Sequence, residues 1–295
     1  SYPSMHEVSF RFDSKNLSIF SLGTLFALLF FTIFAGLYAF APEVLAVAFL
    51  DIGQGDSILI TSPSGNNMII DGGPDKSVLS ALGRHMPFWE RSIDVMLATH
   101  PDADHTAGLS YVLDRFHIGA FIDQGKDSGT LTYHTLEQKV ADNNVPRFLA
   151  KRGMDIDFGD GADFLILYPD KDVSQVPDTN LASIVGKLSY GNTAFILTGD
   201  APKSTEDHLV ALDGSRLEAN VLKVGHHGSK TSSDPVFVNT VHPQYAVISA
   251  GKNNMYGFPA TQTIDTLQNE GAKILITFNL GDIVFTSDGN KVMEK

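Results

Sequence analysis

The chain of 295 residues contains no cysteine. Disulfides, zinc–thiolate sites and thiol nucleophiles are thereby excluded, so any metal has to be held by His, Asp or Glu. A cysteine-free chain fits either side of a membrane. Positive charge is scarce as well: 21 Lys and Arg against 34 Asp and Glu give a formal net charge of -13. That balance argues against a general basic surface for nucleic acid, and a phosphate-bearing substrate would have to be held locally, by metal ions or backbone amides. There is no internal repeat, no low-complexity tract, and no linker that would divide residues 43–295. At 43% hydrophobic content the chain can bury one full-sized core, and its length alone permits one or two domains.

Charge is missing altogether from Asn16 to Pro42, 27 residues rich in Leu, Phe and Ala. A membrane helix needs roughly 20 such residues, so a transmembrane helix is predicted over about 17–41, with residues 1–42 as a juxtamembrane and membrane segment. A signal peptide is the competing reading, but its apolar core is usually only ~7–15 residues long, shorter than this stretch. Arg11 and Lys15 precede the span, while the first basic residue after it is Lys76. Counting Lys and Arg puts the N-terminus in the cytoplasm and the remainder outside the cell membrane. The chain opens on Ser-Tyr-Pro in place of Met, which reads as a piece of a longer protein whose missing part would carry further spans.

Residues 43–295 read as one α/β (α+β) domain. Leu45–Leu50 and Ser57–Thr61 are predicted strands around the turn Asp51-Ile-Gly-Gln-Gly-Asp56, and Asn67–Ile70 is a third strand ending at Asp71-Gly-Gly73. Helices are predicted over Lys76–His85, Ala107–Arg115, Tyr133–Asn143 and Thr261–Glu270. Strands are predicted at Ile93–Ala98, Arg147–Ala150, Ala162–Tyr168, Ser183–Leu188, Thr193–Leu197, Asn220–Val224, Tyr245–Ala250, Lys273–Thr277 and Ile283–Thr286.

Chemistry concentrates in Thr99-His-Pro-Asp-Ala-Asp-His105, where His100, Asp102, Asp104 and His105 fall within six positions. Gathered in one place these groups would repel unless a cation sat among them. Asp200 in Thr198-Gly-Asp200 and the pair His226-His227 in Gly225-His-His-Gly-Ser229 also follow predicted strands. Strand ends converge when the strands are neighbours in a sheet, so one site lined by all three turns is the economical reading. Imidazole nitrogens mixed with several carboxylates suit two divalent cations, with Asp200 as a candidate bridge, and hydrolysis is the natural reaction. The oxygen-rich set tilts the choice toward manganese without excluding zinc.

The run His100-Pro-Asp-Ala-Asp-His105 resembles the His-x-His-x-Asp-His signature of the metallo-β-lactamase fold hydrolases, with the second histidine replaced by Asp102. Five further motifs stand in order along the chain: Phe49-Leu-Asp-Ile-Gly-Gln-Gly-Asp-Ser57, Asn180-Leu-Ala-Ser183, Leu197-Thr-Gly-Asp200, Leu222-Lys-Val-Gly-His-His-Gly-Ser229, and Ser249-Ala-Gly251 leading to Asn254 and Tyr256. Together they resemble the C-terminal hydrolase domain of ComEC-type DNA-internalisation competence proteins. The resemblance implies an αββα sandwich over residues 43–295, preceded by the end of a membrane channel region.

It further implies that His100 and Asp102 serve one metal, Asp104 and His105 the second, and that Asp200 bridges them. Asn180 and Ser183 stand where many relatives place a third histidine. Asp51, Gln54 and Asp56 lie on the family's first turn, where Asp56 would orient a ligand. Where the family commonly shows Tyr-Gly-His-Pro, this chain reads Tyr256-Gly-Phe-Pro259. Phe258 cannot ligate, so either His226 or His227 substitutes or the site runs one ligand short.

The implied function is a membrane-tethered metal-dependent nuclease of DNA uptake, in which a metal-bound hydroxide attacks a phosphodiester. Asp104, His226 and His227 are the catalytic candidates; Ser229, Lys252, Asn254 and Tyr256 join Asp51, Gln54, Asp56, Asn180 and Ser183 as candidates for substrate contact or ligand support. The partners implied are DNA, as a single strand or the strand not imported, the membrane, and other competence proteins. Two alternatives stand beside it: a hydrolase of small esters or lactones with the same fold, and a non-catalytic domain guiding DNA into a channel.

Overall fold

A computed structural model of the chain describes residues 23–32 and 44–295. Contacts divide the chain into two units, Ser1–Pro42 and Glu43–Lys295. In the first, residues 23–32 are helical. The rest of the span expected over about 17–41 lies outside the described residues, and among the described residues no helix is long and apolar enough to cross a membrane.

The second unit is built on two sheets. The first contains β1 (Leu45–Phe49), β2 (Ile58–Thr61), β3 (Asn67–Ile70), β4 (Ser92–Leu97), β5 (His117–Asp123) and β6 (Arg147–Leu149). The second contains β7 (Asp155–Asp157), β8 (Ala162–Tyr168), β9 (Val185–Tyr190), β10 (Thr193–Leu197), β11 (Val221–Lys223), β12 (Tyr245–Ile248) and β13 (Lys273–Ile276). The chain then returns to the first sheet with β14 (Ile283–Ser287) and β15 (Val292–Glu294), giving the orders β15-β14-β1-β2-β3-β4-β5-β6 and β13-β12-β11-β10-β9-β8-β7.

Alternation along the strands explains why the sheets stack. In β10, Phe195 and Leu197 enter the core between the sheets, while Ala194 and Ile196 face the helices outside. In β1, Val47 and Phe49 point inward and Ala48 outward. A strand covered on both faces reads as an unbroken apolar run, as Thr193–Leu197 does after its first residue. Phe285 ties the layers together through edge-on contacts with Phe49, Phe195 and Tyr245 at ring separations of 6.0, 6.1 and 5.1 Å.

Helices cover both outer faces. Ser77–His85, Leu109–Leu113 and Leu131–Asp142 bury Leu82, Val112 and Leu136 against the first sheet. Lys203–Asp213, Pro235–Val241 and Thr261–Asn269 bury Leu209, Phe237 and Leu267 against the second. The layers are helix, sheet, sheet, helix. The helix predicted over Ala107–Arg115 is Leu109–Leu113, preceded by a separate turn of helix at Ala103–Thr106.

Parallel pairing sets where the site lies. β3, β4, β5 and β6 run parallel in the first sheet, and β10, β11, β12 and β13 in the second. The loops leaving their carboxyl ends meet at one edge, where Ile184 N donates to Thr99 O at 2.9 Å across the two sheets.

Candidate metal centre

Each functional side chain is delivered by the end of a strand. Asp71 follows β3 with a left-handed φ of 58°. Thr99–His105 follows β4, Asp200 follows β10, and His226-His227 follows β11. Both of those histidines also have left-handed φ values, 47° and 54°. Non-glycine residues are held in that region only when the surrounding structure demands it, at a cost of order 1–3 kcal/mol each. Three such residues at one edge mark it as a built site. Close approach matters too: a Cβ at Gly55, whose φ is 126°, would lie 2.0 Å from Asp104 O, so only glycine lets the Asp51–Asp56 turn press on the cluster loop.

Four imidazoles converge on one carboxylate. The Nε2 atoms of His100, His105, His226 and His227 lie 3.9, 3.4, 3.9 and 3.4 Å from Asp200 oxygens. His227 Nε2 also lies 3.3 Å from Asp104 Oδ2 and 3.4 Å from His105 Nε2, and His100 Nε2 is 3.7 Å from Asp102 Oδ2. The opposite ring nitrogens are all engaged. His100 Nδ1 meets Thr99 Oγ1 at 3.1 Å, His105 Nδ1 meets Asp71 Oδ2 at 2.8 Å, and His227 Nδ1 meets Ser249 O at 3.0 Å. Anchored Nδ1 protons leave the Nε2 lone pairs facing inward, which is the tautomer a metal ligand requires.

Asp200 and Asp56 carry the electrostatic load. Burial alone would raise the Asp200 pKa, but His227 and His105 overcome it and hold the group well below the ordinary carboxylate range. Asp56 is lowered against the same burial, chiefly by Lys223 and His227. Burial would likewise discharge His105, yet Asp200 and Asp71 raise its pKa well above the usual imidazole value, and His227 is pushed up to about 9 by Asp200 and Asp56. The depressed pKa of Asp104, opposed by burial and set by His227 and His105, belongs to the same field. His226 differs: it is partly exposed and burial lowers its pKa. A field that holds extra positive charge on buried imidazoles is one that holds a cation.

The unsatisfied atoms point the same way. His100 Nε2, Asp200 Oδ1 and Asp56 Oδ1 are buried without a hydrogen-bond partner. Asp56, His105, Asp200 and His227 offer ligand atoms all within 4.8 Å of one another. Orphaned buried donors and acceptors of this kind are costly unless an ion or water completes them, and the donor set of imidazole and carboxylate fits divalent metal ions.

The remaining predicted residues are distributed around this centre. Asp56 is in the cluster but on the Nδ1 side, 3.4 Å from His227 Nδ1 and 3.9 Å from His105 Nδ1, behind the rings and not among their Nε2 atoms. Ser183 Oγ accepts the Asp200 amide at 3.2 Å, and Asn180 Nδ2 is 3.4 Å from His226 Nδ1, so each touches the site through a neighbour in it. Gln54 joins the rim by accepting Gly251 N through Oε1, while Ser229 meets Thr231 at 2.9 Å inside the histidine turn. Asp51 stands apart: its carboxylate accepts Gly53 N within its own turn and its amide donates to Asp282. Asn254 and Tyr256 belong to the Gly251–Pro259 loop, where Lys252 is exposed. Phe258 is packed edge-on against His226 at 5.4 Å and tilted against His227 at 6.3 Å, filling the place beside the imidazoles without offering a donor.

Two residues of the site were not among the candidates. Asp71 accepts Thr99 N, Thr99 Oγ1 and His105 Nδ1, all within 2.8 Å, and is fully buried. Lys223 is fully buried too, with its ammonium on Asp56, 3.1 Å from Gly199 O and 3.9 Å from Asp200 Oδ1. The signal for Asp71 was its Gly-Gly turn after a strand, and for Lys223 a lone cation in the apolar run before the histidine pair.

Comparison with known proteins bears on this arrangement. The family model described as the metallo-beta-lactamase superfamily matches residues 50–252, which begin just after β1 and take in every cluster residue and the His226-His227 turn. The chain belongs to the metallo-beta-lactamase superfamily. Within it the chain is 31% identical to ComE operon protein 3 of Bacillus subtilis strain 168, over 81% of this chain and 32% of that protein. Identity to Competence protein ComA of Neisseria gonorrhoeae is 30%, over 85% of this chain and 34% of that one. The chain thus spans about a third of the length of these curated relatives. Among solved structures, CmlA, a diiron beta-hydroxylase from Streptomyces venezuelae, superposes with a TM-score of 0.54 at 12% identity, covering 86% of this chain and 55% of that one. That likeness is one of fold. Metallo-beta-lactamase folds bind divalent metals, and a candidate site for them is present here.

Proposed function

We propose that the chain is a metal-dependent phosphodiesterase that cuts DNA during uptake into the cell. The observation that carries the reading is the convergence of four imidazole Nε2 atoms on Asp200. His100 and Asp102 would hold one divalent ion, Asp104, His105 and His227 a second, and Asp200 both; manganese and zinc each suit this set. Here His227 takes the part that Phe258 cannot, which moves it from acid–base work to ligation. When bound, such ions supply Lewis-acid polarisation of the phosphodiester and activation of water.

The protein's own groups do the rest. Asp71, Thr99 and Ser249 fix the ring orientations, and Asp56 with Lys223 sets the charge behind His105 and His227. His226 is the imidazole left free for proton transfer, because burial keeps it neutral and its ring reaches the mouth of the site. Neutral, its Nε2 would first take the proton of the attacking water and then return it to the leaving oxygen. The uncharged stretch from Asn16 to Pro42 supports a membrane tether with the hydrolase domain on the extracytoplasmic side, and the names of the competence relatives support DNA as the partner.

The test is cleavage of labelled single- and double-stranded oligonucleotides by the full chain after chelation and after restoring Mn²⁺ or Zn²⁺. Cleavage should need the metal and should vanish in Asp104→Ala and His105→Ala while both variants stay folded. Turnover of a generic ester or lactone with no action on DNA would favour the small-molecule alternative. Binding of DNA without metal or cleavage would favour the guiding role.

A further inference from the structure

The loop Gly251–Pro259 beside the histidines is organised by one side chain. Asn254 Nδ2 donates to Gly251 O at 2.8 Å and Phe258 O at 2.7 Å, and its Oδ1 accepts Tyr256 N at 3.2 Å and Phe258 N at 2.9 Å. Both donors and both lone pairs of the amide are used, so the loop has a defined shape. That shape places large apolar groups in solvent: Met255 is 88% exposed and Tyr256 62%. An exposed aromatic ring adds nothing to the core, and here it is held in a fixed orientation.

The orientation is informative. The Tyr256 ring lies nearly parallel to Phe258, 5.4 Å between centroids at 17°, and Phe258 in turn meets His226 at 5.4 Å. Among the described residues Phe258 is the ring partner of Tyr256 that leads to the site, and with that contact made the tyrosine is still 62% exposed. A short ladder of rings therefore runs from the surface to the imidazole assigned above to proton transfer. Lys252, exposed in the same loop, adds a cation next to it.

We propose that the outer face of Tyr256 is a stacking platform for an unpaired nucleobase, which positions a neighbouring phosphodiester at the metal centre. The proposal rests on the nuclease reading and narrows it to single-stranded nucleic acid, because a base inside a duplex has its faces covered by its neighbours. Stacking is tolerant of sequence, since every base offers a π-face. Phe258 gains a role in the same picture: it backs the tyrosine and closes the gap between the platform and His226.

Tyr256→Ala and Tyr256→Phe in the full chain test it, using anisotropy for binding and initial rates for KM and kcat. The substrates are a labelled single strand, the same strand carrying one abasic site moved along its length, and its blunt duplex. Losing the ring should raise the dissociation constant and KM for the single strand roughly tenfold, with a smaller change in kcat, and Tyr256→Phe should restore both. At one position the abasic strand should bind the wild-type chain as weakly as the intact strand binds Tyr256→Ala, and the two losses should not multiply. A Tyr256→Ala chain with unchanged affinity, or losses that multiply at every abasic position, would overturn the stacking role even if cleavage is robust. Ring-dependent binding without cleavage would support the platform and remove the nuclease reading; a wild-type chain that neither binds nor cuts would remove both.

Discussion

Replacing Asp71 by Asn changes one atom and disturbs two rings of the candidate metal centre. Asp71 Oδ1 accepts the Thr99 amide at 2.8 Å, and Oδ2 accepts Thr99 Oγ1 at 2.7 Å and His105 Nδ1 at 2.8 Å. In the amide variant Oδ1 keeps the backbone donor, so an NH₂ group faces the hydroxyl and the imidazole. His105 then has to turn Nδ1 into an acceptor and carry its proton on Nε2, the atom 3.4 Å from Asp200. The Thr99 hydroxyl, which also meets His100 Nδ1 at 3.1 Å, must reverse in the same step. Loss of a partner behind a ligating histidine costs roughly 10–100-fold in metal affinity, about 1.4–2.7 kcal/mol. The fold should survive, because the shape is kept and one buried hydrogen bond is traded at about 1–3 kcal/mol. Competition with a chromophoric chelator measures the affinity, and near-ultraviolet circular dichroism checks the fold. A folded Asp71→Asn chain with wild-type metal affinity would refute the argument that the Nδ1 anchors set the ligand tautomers.

Three further outcomes follow from other parts of the structure. Glu206 is buried, accepts Ser233 N and Asp234 N, and has its pKa raised by burial from 4.5 to about 7. Its contribution is present in full below about pH 4.5, where folded and unfolded chains are both protonated. It is lost as the pH rises through about 7, by roughly 3 kcal/mol. Urea unfolding at pH 5 and pH 8 should therefore show Glu206→Gln gaining on the wild type at the higher pH; parallel behaviour at both would contradict it. Lys223→Met leaves Asp56 as an uncompensated buried charge and should cost about 3–5 kcal/mol, much of it recovered by adding Asp56→Asn, as a double-mutant cycle would report. Gly55→Ala puts a methyl group 2.0 Å from Asp104 O and should lower metal occupancy more than secondary structure, read by metal analysis beside circular dichroism.

The sequence announces most of the strands around the centre because they are short apolar runs closed by Gly, Asp or Asn. It is less informative where periodicity is mixed. β5, His117–Asp123, begins exposed and polar, the helix Lys203–Asp213 has a mostly polar first half, and Pro235–Val241 is largely apolar but only 7 residues long, too short to declare a helical period. For the site, residue type and strand-end position marked His100, Asp102, Asp104, His105, Asp200 and the histidine pair before any geometry. What spacing cannot express is which side of a ring a neighbour occupies. Asp56 and Asp200 are both aspartates in glycine turns, yet one lies behind the imidazoles and the other before them. The same limit hid Asp71, whose value lies in three hydrogen bonds to residues 28 and 34 positions away. It also hid Lys223, which an apolar strand makes look misplaced until Asp56 is seen against it.

Metal content and DNA cleavage of Asp200→Asn, measured on the same preparations as the wild-type chain, test the central claim most directly. With Asp200 as the carboxylate on which all the imidazoles converge, the wild type should carry close to two divalent ions and cut DNA, and the variant should lose both together while remaining folded. Undiminished cleavage by a metal-free wild-type chain or by Asp200→Asn would contradict the account.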